Sequence, residues 1–240
     1  MPDGIDYSQP WAWQDAVVRL LGPVRRAGRQ DAAGGVSVTA AGDIPAPLAE
    51  AACNTVRGRL AALEGRYPLL GAMVARVGPQ IRLVSGDVLC GGAHGDTDDI
   101  TEPPVMTLPA GLSLAPSAAS PGGRRGEVTP SLPGVLDHEI GHAIEAAFED
   151  AARSVDAGFS LADLYGGQHR SKMVRGVSSY VRQDRHEWFA ESLAAWLHVG
   201  RNAFSLDPSL VSMFGVLFAG EPVRRADAEW KESDHPREAD

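Results

Sequence analysis

Apolar residues recur along this chain at two spacings, and the spacing separates strands from helices. Val36-Ser37-Val38-Thr39 alternates like a short strand. Gln80-Ile81-Arg82-Leu83-Val84 and Pro104-Val105-Met106-Thr107-Leu108 read as two more. From Ala46 to Arg66, the residues Leu48, Ala52, Val56, Leu60 and Leu63 keep helical spacing until Gly65 and Pro68 close the segment. An earlier amphipathic helix is expected over 11–28, carried by Trp11, Val17, Val18, Leu20, Leu21 and Val24 and interrupted near Gly22-Pro23. Two later helices are expected over about 184–198 and 208–218, the second covering the core. Residues 109–134, rich in proline and glycine, read as a long loop: a lid or substrate wall, or equally a surface connection. Residues 155–178 read as irregular, and 224–240, charged and poor in apolar residues, as a solvated tail.

The strongest helical pattern runs from Leu136 to about Ser154. With roughly 100° between successive residues, Leu136, Ile140, Ala143, Ile144 and Ala147 gather on one arc. His138, His142, Glu145 and Glu149 gather on the opposite arc. Such a helix has one face in a core and one face lining a cleft or solvent. Its polar arc contains His138-Glu139-Ile140-Gly141-His142, an H-E-x-x-H motif. The two imidazoles leave one helical face a turn apart, the bite that a single zinc ion needs, and Glu139 stands one step round as a candidate general base.

Zinc in a hydrolase keeps three protein ligands and one open position. Candidates for the third are Glu145, Glu149, Asp150, His169, His186, Glu187, Glu191 and His198. Glu187 and Glu191 share a face of the later helix at i and i+4, which Ala194 and His198 continue, opposite the apolar Phe189, Leu193, Trp196 and Leu197. One of these two carboxylates can ligate the metal while the other hydrogen-bonds a ligand imidazole from behind. His94 reads as a loop histidine, His169 and His186 as surface residues, and His198 as a cation at a helix C-terminus.

His138-Glu139-Ile140-Gly141-His142, then Ser178-Ser179-Tyr180, then Glu187-Trp188-Phe189-Ala190-Glu191 resembles the pattern of the anthrax-lethal-factor-like zincin metallopeptidases. The match covers roughly residues 130–200, with Trp188 where the family usually has phenylalanine. The resemblance implies that Glu187 is the third zinc ligand, that Glu191 supports the site in the second shell, and that Tyr180 points its phenol at the substrate oxyanion. The expected fold is then α+β and zincin-like: a small twisted sheet packed on helices, with the H-E-x-x-H helix lining the cleft. The expected organisation is an N-terminal helical segment over 1–40, a catalytic domain over 41–222 and a charged tail over 223–240. An extended substrate is expected to add to an edge strand, taken as Val105–Leu108.

Composition narrows the partners. At 240 residues, with 44% hydrophobic and 22% charged, the chain can bury a sizeable core. A net charge of −9 argues against nucleic acid and favours basic peptides or protein loops. Cys53 and Cys90 make no disulfide framework. No Sec-type signal and no apolar run long enough for a membrane span are visible, so a cytoplasmic protein is expected, or one delivered by a non-classical route or in a virion. The expected function is that of a zinc-dependent endopeptidase, with Glu139 as general base, acting on protein or peptide substrates. The family resemblance suggests a toxin effector or a phage-encoded protease. The rival expectation is a non-catalytic virion component or adaptor that keeps a zincin shell.

Overall fold

The computed structural model describes residues 35–89, 95–98, 102–115, 131–155, 159–170, 182–199 and 206–220. The helix expected over 11–28, the tail over 224–240, and Tyr180 lie outside the described residues.

The three alternating segments and one short polar strand form one sheet of four strands: β1 (Ser37–Ala40), β2 (Gln80–Val84), β3 (Asp96–Asp98) and β4 (Val105–Pro109), in the order β1-β2-β4-β3. β1 and β2 are parallel, β2 and β4 are parallel, and β3 runs antiparallel to β4. The register places Ile81 opposite Met106 and Leu83 opposite Leu108, so four buried side chains share one face. β4 is therefore an inner strand. The expected substrate edge at Val105–Leu108 is wrong, because its ladder groups are used on both sides by β2 and β3. An alternating apolar run marks a strand without saying which neighbours it has.

Among the described residues six helices accompany the sheet: α1 (Ala46–Arg66), α2 (Pro68–Val77), α3 (Leu132–Val155), α4 (Leu161–Arg170), α5 (Arg185–Val199) and α6 (Pro208–Ala219). The chain is α+β, with a small mixed sheet. α1 keeps its expected bounds. Pro68, read as a stop, occupies the first turn of α2, where its missing N–H has no helical partner to lose. Gly78, at φ 64°, closes α2 in the left-handed conformation. α4 falls in the segment read as irregular. α6 starts on Asp207, whose Oδ1 accepts from Ser209 N at 2.8 Å and Leu210 N at 3.2 Å.

α1 packs against β1 and β2, and α3 against β3 and β4. α3 is buried on most of its circumference. Its Leu136, Ile140, Ile144 and Phe148 have no exposure. Phe148 lies 4.9 Å ring to ring from Phe189 of α5 and 5.3 Å from Phe214 of α6, so aromatic packing fixes one end of α3. Nearer the motif, a Cβ on Gly141 would lie 2.6 Å from the Cα of Ala190. Only glycine lets α3 and α5 cross this closely. No helix among the described residues is long and apolar enough to cross a membrane.

Candidate metal centre

The close crossing brings the polar arc of α3 against the first turns of α5. His138 Nε2 and His142 Nε2 stand 3.1 Å apart, and Glu187 completes a triangle: Oε2 is 3.4 Å from His138 Nε2, and Oε1 is 3.8 Å from His142 Nε2. Ligand atoms about 2.0–2.1 Å from a tetrahedral ion sit about 3.3 Å from one another. The observed separations bracket that edge length. Glu187 Oε2 is also buried, with His138 Nε2 too poorly placed for an aligned hydrogen bond, an arrangement that a cation would satisfy. Two imidazoles and a carboxylate are a donor set suited to zinc. Among the described residues, this is the group of three side chains that could hold a metal ion.

Local structure sets each side chain. Asp184 Oδ1 accepts from the backbone N–H of Glu187 at 2.9 Å, which caps α5 and places Glu187 in its first turn. Glu191, one turn on, puts Oε1 3.8 Å from His138 Nδ1, the ring nitrogen facing away from the triangle. Glu139, 3% exposed, turns toward β3. Thr97 Oγ1 donates to Glu139 Oε2 at 2.6 Å. Gly95 lies against Glu139 Oε1 so tightly that a Cβ there would collide with it.

Electrostatics follow from burial and like or unlike neighbours. Burial pulls the His138 pKa down, but the carboxylates of Glu187, Glu139 and Glu191 outweigh it and hold the value above normal. Burial, and next the charge of His138, push His142 down to about 4. Glu187 is lowered, chiefly by His138. Burial raises Glu139, opposed by His138 and by the Thr97 hydroxyl. Near pH 6 the triangle thus favours one protonated imidazole, one neutral imidazole and an ionised carboxylate.

The other sequence candidates sit elsewhere. Glu145 is buried one turn beyond His142 and holds His186 and Arg185. Glu149 pairs with Arg153 on the surface. Asp150 and His198 are exposed. The side chain of His169 and the whole of Tyr180 lie outside the described residues, as do Cys90 and His94. Cys53 is a free thiol.

Sequence reasoning missed Thr97 and Gly95, because Asp96-Thr97-Asp98 carries no apolar alternation. It also missed the bidentate pair of Arg59 and Asp137, at 2.8 and 2.5 Å, which ties α1 to α3 beside His138. A carboxylate directly before the motif was the available signal; Arg59 itself is one of three arginines on α1, beside Arg57 and Arg66.

In comparisons with known proteins no family model, no curated protein and no solved structure matches this chain. Fold and site by themselves define an α+β chain with a candidate three-residue metal centre.

Proposed function

We propose that this chain is a zinc-dependent endopeptidase built on a zincin-like fold. The observation that carries the reading is the convergence of His138, His142 and Glu187 at ligand spacing, with Glu139 on the same helix turned toward the strand at the sheet's end. The sequence resemblance to lethal-factor-like zincins supports it, since it implies the same three residues as ligands.

His138, His142 and Glu187 would hold the ion. Zinc bound there supplies Lewis acidity, which makes water a nucleophile near neutral pH and polarises a carbonyl. Glu139 accepts the proton of the attacking water on a carboxylate oxygen and later delivers it to the leaving amine. Its raised pKa suits both halves of that transfer. Glu191 steadies His138 from the Nδ1 side. Tyr180 receives the oxyanion contact on the sequence resemblance alone. An extended peptide adding to β3, the last strand of the described sheet, would bring its backbone beside Glu139.

The deciding experiment is metal content and peptide-library cleavage for wild type and Glu139→Gln. One zinc per chain in both proteins, with cleavage abolished only in the variant, is the expected result. Zinc in both with no cleavage by either supports the rival, a non-catalytic protein that keeps a metal shell.

A further inference from the structure

Glu145 is a buried carboxylate that the proposed chemistry does not use. It is 4% exposed and lies on α3 one turn beyond His142. Its two oxygens reach two consecutive residues of α5: Arg185 Nε makes an ion pair with Oε1 at 2.8 Å, without hydrogen-bond alignment, and His186 Nδ1 donates to Oε2 at 2.5 Å. The next residue in the chain is Glu187. The helix that supplies both histidines therefore grips the third carboxylate's helix immediately before that carboxylate.

This grip is one fixed point between α3 and α5. The crossing of Gly141 over Ala190 and the packing of Phe148 on Phe189 are others, both on the far side of Glu187 from the grip along α5. A ligand on the first turn of a helix is prone to fraying, because that turn has the fewest intrahelical hydrogen bonds. Asp184 caps the turn but belongs to the same helix, so it cannot set the position of α5 against α3. Contacts that bridge the helices do that.

We infer that Glu145 is a positioning residue that sets the affinity of the metal centre, by clamping Arg185 and His186 so that Glu187 is held at ligand distance from His138 and His142. This rests on the reading of that triangle as a zinc site, but not on peptide cleavage.

The test is zinc affinity by competition with a chromophoric chelator, on the full chain, at a temperature where circular dichroism shows each variant folded. Glu145→Gln is expected to bind zinc about 10–100-fold more weakly, the usual effect of losing a group that orients ligands. Its cobalt(II) form is expected to show an altered visible absorption band, because Glu187 is no longer fixed. The double substitution Arg185→Gln and His186→Gln is expected to give a similar loss. Combining it with Glu145→Gln adds little further loss, because all three substitutions remove one clamp. Arg153→Gln, which deletes a surface pair on the same helix, is expected to keep wild-type affinity.

If Glu145→Gln fails to fold, the double substitution decides: weaker binding upholds the inference and unchanged binding overturns it. Wild-type affinity in Glu145→Gln, fully multiplicative losses, or an equal fall in Arg153→Gln overturns the clamp while leaving the zinc site intact. A wild-type chain that binds no zinc overturns both.

Discussion

Thr97 and Gly95 hold Glu139 by opposite means: one donates a hydrogen bond to Oε2, and the other makes room for Oε1 by having no side chain. Thr97→Val keeps the shape and removes the donor. A hydrogen bond to a charged group is worth about 1.5–3 kcal/mol, so peptide cleavage is expected to fall roughly 10–100-fold with zinc content unchanged. Thr97→Ser is expected to restore most of the rate. Steady-state kinetics beside metal analysis checks this, and an unchanged kcat in Thr97→Val refutes it. The histidines make a second prediction. Zinc takes neutral imidazole, so binding must displace any proton already there. His138 is raised above its ordinary 6.5, whereas His142 sits at about 4. Near pH 6, His138 is thus mostly protonated and His142 is not. Zinc binding is expected to release about one proton from the pair and to weaken as pH falls through the His138 pKa. Calorimetry in buffers of different ionisation enthalpy measures the release, and zero release at pH 6 contradicts the assignment.

Helices α3 and α5 form a working unit because their backbones nearly touch. Gly141→Ala would put a methyl group 2.6 Å from the Ala190 Cα, and backbone cannot rotate away as a side chain can. The helices must separate, which is expected to cost about 1–3 kcal/mol and to lower zinc affinity by moving Glu187 off the histidines. Denaturant unfolding of the apo-protein, with the chelator titration, separates the two effects; wild-type affinity in Gly141→Ala would show that close crossing is not what sets the triangle. α1 is tied to α3 through Arg59 and Asp137. Burial opposes the charge on Arg59, yet Asp137 outweighs it and raises the guanidinium pKa. Burial also raises Asp137, against the pull of Arg59. Arg59→Ala leaves that carboxylate alone and is expected to cost about 2–3 kcal/mol, less than a fully buried pair because Arg59 is partly exposed. The sign with pH follows. A raised folded-state pKa means that the group's stabilisation is present below its unfolded value and is lost as pH rises through the folded value. Without Arg59 the Asp137 pKa climbs further, so the defect grows with pH. Urea unfolding at about pH 5 and about pH 8 tests it, and a defect that is equal or larger in acid contradicts the account.

At the scale of the whole molecule, legibility tracked the range of the interactions. α1 was readable to its ends because Ala52, Val56, Leu60 and Leu63 repeat at helical spacing and all are buried. The H-E-x-x-H helix was readable over its motif for the same reason, and its two imidazoles need only helical periodicity to meet, but it begins at Leu132, inside the stretch that Pro133 and Gly134 make read as loop. What depends on partners distant in sequence was not. Whether Val105–Pro109 is an edge or inner strand is decided by a three-residue partner, Asp96–Asp98, that has no hydrophobic signature. Glu145 stood on the polar arc, but its partners lie on another helix, 41 residues away in the case of His186. Pro68 shows that one residue can end a helix and begin the next, a choice made by the backbone around it. The central claim is that two neighbouring helices hold one zinc ion between them. Zinc-edge X-ray absorption on the zinc-loaded chain tests it most directly. The predicted first shell has two imidazole nitrogens at about 2.0–2.1 Å and protein carboxylate oxygen at about 2.0–2.2 Å, with one imidazole lost in His142→Ala and the carboxylate lost in Glu187→Ala. A shell that survives both substitutions unchanged would contradict it.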